Sequence, residues 1–525
     1  MILGRLLQSC AGAESSSRSF LLSSDLRPFS SVGRLGQKLI KRSSRILCMR
    51  VFNSLSRQKE EFVPQKKGQV KMYTCGPTPY TFVHIGNLRT FAFEDVLRRY
   101  LKYKGFKVTQ VKNFTDVDDK TIRDSQKAKI SLKTFTEKYI AEFFKDCDSL
   151  NIERVEVYPK ATEHIQEMIA LTQDLLDKGV AYKSADGVYF SIDKFKDYGK
   201  LAHLDLAGLK AGASGRILKD EYEKENVADF ALWKFWDKAD GDVKWTAPFG
   251  EGRPGWHIEC SAMSAKHLTN LFSKGKVDPK GFETIDIHTG GIDLLFPHHQ
   301  DEVAQTEACV KKPFSKYWMH AEHLLVDNKK MSKSLGNFYT LRDVLAKGHA
   351  PTAVRYLLIS SHYRQKMNFT FESLDAATVA VQRFNDFVQK LSEAHGKSDN
   401  KEIQASIEKA KESFEGALDD DLEMSRALAS LFEFMNHINK LGIHQLSRKD
   451  AQSVEKFMRE VDSVLAILSK EEDILDDIKK LIADRDEARR TKNFSRADEL
   501  RDVLKQKGIA VEDTAHGQRW KRILS

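Results

Sequence analysis

Cysteine is scarce in this chain: 525 residues hold six, at positions 10, 48, 75, 147, 260 and 309. So few, so far apart, cannot form a disulfide framework, and the expected setting is a reducing compartment. No two stand as C-x-x-C, which excludes a local zinc ribbon and a thioredoxin-type redox pair. Long apolar runs are also missing. Nothing approaches the roughly 18 consecutive apolar residues of a membrane span, so no membrane attachment is expected. No internal repeat is present, which removes the solenoid folds. An excess of charge of either sign is nearly absent from the bulk of the chain. The net charge is +9, but residues 1–50 contribute +7 of it, leaving +2 for the other 475. What is there, 41% hydrophobic and 30% charged residues, is the composition of an ordinary globular protein. At about 100–200 residues per domain the length implies about three to five structural units.

The first fifty residues hold seven Arg, two Lys and eleven Ser against Glu14 and Asp25. Arg-rich, Ser-rich and poor in acid is the composition of an organellar transit peptide, and the long apolar core of a secretory signal is missing. The expectation is a leader over 1–48, delivering the protein to the mitochondrial matrix and/or the chloroplast stroma. A basic tail that touches nucleic acid is the alternative. Met49 opens a run that reads as a second start, which would give a cytosolic form.

From Gln69 the pattern is α/β. A strand from Val70 to Thr74 meets a Gly/Pro turn at Cys75–Gly76–Pro77. A helix with apolar spacing through Phe91, Val96, Leu97 and Leu101 ends near Gly105, and a second strand runs from Lys107 to Asn113. That is the size of a parallel crossover unit. Residues 120–245 read as mostly helical and charged, with breaks at Asp186–Gly187 and Lys210–Gly215, an insertion between two sheet halves. Strand signals return at Thr284–His288, a helix is expected from Pro297 to about Cys309, and another strand through Tyr317–Val326. Beyond Leu374 the periodicity is helical almost to the end.

Two polar motifs suit phosphate. His84–Ile85–Gly86–Asn87 falls where a loop turns into a helix, whose unpaired N–H groups and positive dipole attract anions. Gly86 would admit a close approach, with His84 and Asn87 as donors. Lys330–Met331–Ser332–Lys333–Ser334 offers two lysines and two serines in a loop after a strand. Lys333 could stabilise charge growing on a leaving pyrophosphate. Packing and capping explain the first motif alone, and a solvated loop the second. The order and the separation of about 245 residues make the pair more specific than either.

Together they resemble the class I aminoacyl-tRNA synthetases, whose nucleotide fold carries a HIGH motif early and a KMSKS motif late. KMSKS is intact here; HIGH reads HIGN, since Asn87 replaces the second His and keeps a donor without the capacity for charge. Three further segments matter: MYTCGPTPY (72–80), GWHIECSAM (255–263) and FPHHQDE (296–302). His298 and Glu302 are four apart on an expected helix and share a face. Cys75 ends a strand, and Cys260 lies in an apolar-flanked segment before a helix. By residue type alone, buried structural cysteines are favoured over a metal set. These segments are similar to the zinc site of cysteinyl-tRNA synthetases, and that resemblance implies one Zn2+ per chain held by Cys75, Cys260, His298 and Glu302.

The resemblance further implies a Rossmann-like parallel sheet with an inserted connective domain, a helical bundle and a small anticodon-binding unit. Its segments would be a catalytic first half over 49–140, the insertion over 141–245 and the second half over 246–340. A stem and tRNA-binding bundle would follow over 341–480, and the C-terminal unit over 481–525. The implied activity uses ATP, with Mg2+, to convert L-cysteine to cysteinyl-adenylate, then passes the cysteinyl group to tRNA(Cys), in a monomer. His84, Asn87, Lys330 and Lys333 would act on the triphosphate, Gly290 and Asp293 would receive the adenosine, and Thr115 and Trp256 would line the cysteine pocket. Trp520, near Arg519 and Lys521, could stack on an unpaired base. The competing readings are a cysteine ligase of small-thiol biosynthesis, which lacks the anticodon tail, and a noncatalytic paralogue.

Overall fold

The computed structural model describes residues 49–204, 229–332, 335–469, 476–514 and 517–522. The expected leader, the break at Lys210–Gly215, and Lys333 lie outside the described residues, as does the side chain of Trp520.

A hairpin of β1 (Arg50–Asn53) and β2 (Gln58–Glu61) precedes the first long strand, β3 (Gln69–Thr74). Helix α1 (Ile85–Tyr103) crosses over to β4 (Lys107–Lys112). After the insertion come β9 (Ile285–Gly291), α6 (Gln300–Val310) and β10 (Ser315–Ala321). The sheet runs β10–β9–β3–β4 and every pair is parallel, with Thr289 opposite Thr74 and Thr74 opposite Lys112. Alternation along the strands splits the side chains between two cores. Val70, Met72, Ile287 and Met319 face α1 and the helical bundle. Tyr73, Val111 and Trp318 face the insertion.

Within the insertion, α2 (Asp119–Ala128), α3 (Leu132–Ser149) and α4 (Ile165–Asp177) are helical as expected. The rest is not. Strands β5 (Ala181–Lys183), β6 (Gly187–Phe190), β7 (Phe230–Phe235) and β8 (Gly252–Pro254) form an antiparallel four-stranded sheet before α5 (Trp256–Leu268). These strands hold three to six residues each, too few to display a period of two against helical neighbours. The parallel sheet resumes only at Ile285. Cys260, expected ahead of a helix, sits inside α5, because the helix already begins behind Gly255.

Buried charges fix α1 in place. Glu94 pairs with Lys112 of β4 at 3.0 Å and accepts from Thr289 of β9, also at 3.0 Å. Arg89 spends its guanidinium on four backbone carbonyls, those of Glu322, His323, His362 and Gln365. A buried cation is tolerable only when its donors are satisfied in this way.

Strands β11 (Leu324–Val326) and β12 (Lys329–Lys330) lead out of the sheet, and β13 (Met367–Phe369) pairs with β11. Short α7 (Leu341–Leu345) and stem helix α8 (Pro351–Ser360) lie between them. The bundle is α9 (Phe371–Lys390), α10 (Lys401–Asp419), α11 (Met424–Leu441) and α12 (Arg448–Leu465). The tail is α13 (Asp476–Arg490), α14 (Phe494–Gln506) and the hairpin β14 (Ile509–Thr514) with β15 (Gly517–Arg522). A separate small core of Ile478, Leu504, Ile509 and Val511 holds the tail together.

Candidate metal centre and nucleotide site

The carboxyl ends of parallel strands are where open α/β sheets place their ligands. Cys75 directly follows β3, and its N–H donates to Thr289 O of β9 at 3.3 Å. Cys260 projects from the second turn of α5. The chain kinks at Phe296, so His298 comes from the turn before α6 and Glu302 from the first turn of α6. These four residues converge: one ligand atom from each lies within 4.8 Å of the others, and all four are buried. The sulfurs of Cys75 and Cys260 are 3.8 Å apart, and two thiolates on one tetrahedral Zn2+ would stand about 3.8 Å apart for bonds of about 2.3 Å. His298 Nε2 is 3.2 Å from Glu302 Oε1, and Cys75 Sγ is 3.7 Å from that same oxygen.

Electrostatics mark the same place. Burial pushes the Cys75 thiol well up, helped by Cys260, and pushes the Glu302 carboxyl well up, again helped by Cys260. Burial lowers the His298 imidazole. Two thiols, a carboxyl and a neutral imidazole, crowded without water, are costly as anions alone and suited to a divalent cation, which inverts that preference. The donor set fits Zn2+.

A second shell of hydrogen bonds orients it. His257 Nδ1 lies 2.9 Å from His298 Nδ1, which turns the His298 Nε2 lone pair toward the sulfurs. His257 is in turn 3.3 Å from Asp301, whose other oxygen accepts from Tyr198 at 2.5 Å. His288 Nε2 holds the second oxygen of Glu302 at 3.0 Å. His299 reaches Cys75 Sγ at 3.3 Å and passes through His320 to Ser54. Cys75, His288, His299 and Glu302 make an overlapping quartet. His288 and His299 are fully enclosed, whereas His298 sits under Trp256, whose indole stacks on it at 4.3 Å and is 38% exposed. Of the two quartets, only the one with Cys260 has two soft sulfurs. His257 and His320 escape a reading of the sequence because each meets its partner only through closure of the sheet. Losing such a partner commonly weakens metal binding 10–100-fold. His257→Ala should accordingly lower zinc affinity by about 10–100-fold while the fold persists, as chelator competition would measure.

Trp256 opens α5 beside the quartet. Thr115 is buried and is not a cap; Asp118 caps α2. Its hydroxyl accepts from Asn113 at 3.3 Å, and Asn113 Oδ1 accepts from Gly76 N–H at 2.9 Å, which places Thr115 beside the Cys75 turn.

The HIGN segment starts α1, and His84 is the N-cap. His84 Nδ1 accepts from Asn87 N–H at 3.2 Å, and Asn87 Oδ1 accepts from His84 N–H at 3.4 Å. This reciprocal capping box fixes the HIGN turn at the start of α1. A Cβ on Gly86 would stand 2.9 Å from His84 Nδ1 and 3.0 Å from Met331 Cε, so glycine lets the lysine/serine loop approach. That loop leaves β12, and Asn337 staples it by accepting from Ser332 N–H at 2.8 Å and donating to Lys330 O at 3.2 Å. Lys330 is exposed on β12. At its exit, Tyr339 O accepts from Ile85 N–H at 3.0 Å and Thr340 bridges to His84. Gly290 ends β9 against His299, 2.7 Å from where a Cβ would stand, and Asp293 is exposed in the next turn.

The family described as tRNA synthetases class I (C) catalytic domain matches residues 61–379. A DALR domain matches 413–469 and a Cysteinyl-tRNA ligase anticodon binding domain matches 471–520. A cysteine--tRNA ligase of Protochlamydia amoebophila is 48% identical over 480 residues, covering 90% of this chain and 98% of that one. Another, of Brachyspira hyodysenteriae, is 45% identical over 482 residues, with 90% and 98% covered. Among solved structures, a Mycobacterium tuberculosis methionyl-tRNA synthetase with methionyl-adenylate aligns at TM-score 0.55 and 14% identity, over 76% of this chain and 90% of that one. An Agrobacterium radiobacter LeuRS–tRNA–LeuAMS complex aligns at TM-score 0.55 and 11% identity, over 83% and 88%. At such identities the two structures speak for the class I fold alone. The curated relatives and the matched catalytic and anticodon domains go further: the chain belongs to the cysteine--tRNA ligase family.

Proposed function

We propose that the chain joins L-cysteine to tRNA(Cys), with Zn2+ in the Cys75–Cys260–His298–Glu302 quartet selecting the amino acid. The observation that carries this reading is the buried two-sulfur quartet at the carboxyl edge of the sheet that also launches α1 from His84. A Zn2+ bound there would favour a thiolate and accept the substrate sulfur, a contact that serine, alanine and valine cannot match. Discrimination by a specific polar contact far exceeds what an apolar pocket gains from one methylene.

The chain's own residues then act by position and charge. Trp256 and Thr115 wall the amino acid beside the quartet. His84 and Asn87 donate to the triphosphate at the positive end of α1, Lys330 and Lys333 meet it from the facing loop, Gly290 leaves room for adenosine, and Asp293 accepts from ribose hydroxyls. The cysteine carboxylate attacks the α-phosphorus of ATP, which travels with Mg2+. The bond to the bridging oxygen breaks, and pyrophosphate leaves with the electron pair. The 2′-hydroxyl of the terminal adenosine then attacks the adenylate carbonyl, loses its proton and expels AMP. No protein nucleophile is required. ATP–pyrophosphate exchange dependent on cysteine, followed by charging of purified tRNA, tests the assignment.

Among the described residues of the tail, the exposed aromatic is Phe494, 58% exposed at the start of α14, with Arg490, Lys492 and Arg496 close by in the chain. Base–aromatic stacking contributes about 1–3 kcal/mol. Phe494→Ala should therefore raise the KM for tRNA roughly 5–100-fold and leave ATP–pyrophosphate exchange unchanged.

The composition of residues 1–48 supports an organellar leader, and Met49 a shorter cytosolic form. Mapping the amino termini by mass spectrometry of cell fractions would reveal one or two forms. Among the described residues no helix is long and apolar enough to cross a membrane.

A further inference from the structure

We infer that Arg342 is a positioning residue for ATP: its guanidinium clasps the exit of the lysine/serine loop to the start of α1 and to α3 of the insertion. Arg342 follows Thr340 by two residues, at the beginning of α7. Its Nη1 lies 3.1 Å from Asp146 Oδ2 and its Nη2 bonds the Glu142 carboxylate, both on α3. The face of the guanidinium covers the Phe82 ring at 4.3 Å. Phe82 itself packs edge-on against Tyr139 of α3, with centroids 5.5 Å apart, and stands two residues before His84. One planar cation thus joins three segments that are far apart in sequence.

The arrangement matters because the loop is anchored differently at its two ends. Its entrance is paired into a sheet through β12 and β11. Its exit rests on a few contacts with the HIGN turn: Phe338 against the His84 ring at 5.2 Å, the Tyr339–Ile85 hydrogen bond and the Thr340–His84 bridge. Arg342 lies where those contacts end and grips the segment that leads into His84. Moving the exit by about 1 Å would separate the two phosphate-binding motifs, and misplacement of that size can cost about 100-fold in rate. Burial pushes the Asp146 carboxyl up to about 6 despite the opposing pull of Arg342. Arg342 is itself 34% exposed and Glu142 23%, so the Glu142 arm of the clasp is partly solvated and contributes little to global stability. Its principal effect is therefore on geometry at the ATP site.

The inference rests on the cysteine-activation reading, so the unmodified protein in the same ATP–pyrophosphate exchange assay is the control for that reading. Arg342→Gln should lower kcat/KM for ATP roughly tenfold or more. Cysteine KM, zinc content, thermal midpoint and single-turnover transfer from preformed cysteinyl-adenylate should stay near those of the parent. Arg342→Lys keeps the charge but not the fork and should recover only part of the loss. Phe82→Leu, which removes the ring under the guanidinium, should show the same ATP-specific defect in milder form. An active parent with Arg342→Gln within about twofold of it for ATP would overturn the inference. So would ATP and cysteine KM rising together with a lowered thermal midpoint. An inactive parent would instead overturn the activation reading.

Discussion

Replacing Cys260 with serine should remove the bound metal and lower cysteine-dependent ATP–pyrophosphate exchange by about three to four orders of magnitude. Serine is nearly the size of cysteine, so packing in α5 is disturbed little. What changes is the donor: a hard hydroxyl that stays protonated replaces one of two soft thiolates. The remaining Cys75 sulfur, with Glu302 and His298, would keep a three-ligand site lacking its shared softness. The Cys75 thiol is already pushed up by burial, so in a metal-free protein it would stay protonated. Metal content by mass spectrometry and exchange kinetics should therefore fall together. Cys147→Ser is the matched control: Cys147 is buried in the other core, among residues facing α1, and should lose neither. Metal loss with exchange intact would separate the quartet from selection and refute this part of the account.

Lys333→Ala should slow cysteinyl-adenylate formation roughly 100–1,000-fold, the usual cost of removing one aimed charge from a developing anion. Cysteine KM and zinc content should hardly change, because the quartet lies on β3, α5 and α6. Lys333 is outside the described residues; the residues on either side of it are tied down. Asn337 ties Ser332 to Lys330, Gly86 leaves room for Met331, and residues 338–340 return to the HIGN turn. If exchange falls while cysteine binding measured by calorimetry holds, the loop acts in catalysis. Equal losses in both would point to a structural role.

How much of this was legible beforehand follows physical lines. β3, α1 and β4 were readable because a 19-residue amphipathic helix between two short apolar strands has only one economical arrangement, a parallel crossover. The phosphate motifs were readable because both use local chemistry, a helix start and a lysine-rich turn. His298 and Glu302 announced themselves by their spacing. Cys75 and Cys260, 185 positions apart, could be joined to them only through resemblance, because nothing local links a strand end to the middle of α5. The antiparallel sheet in the insertion stayed hidden, since β6 and β7 are separated by about forty residues and each is too short to show its period. Second-layer partners such as His257, His320 and Tyr198 were invisible for the same reason. Their roles exist only once three distant segments are brought together, as do those of Arg89 and Arg342.

The most direct test of the central claim is charging of purified tRNA(Cys) by the zinc-loaded protein, with radiolabelled cysteine and serine in parallel. The account predicts acid-precipitable cysteinyl-tRNA that requires ATP and disappears when zinc is stripped, with no serine incorporated. Charging by serine at a comparable rate, or undiminished cysteine charging after complete zinc removal, would contradict it.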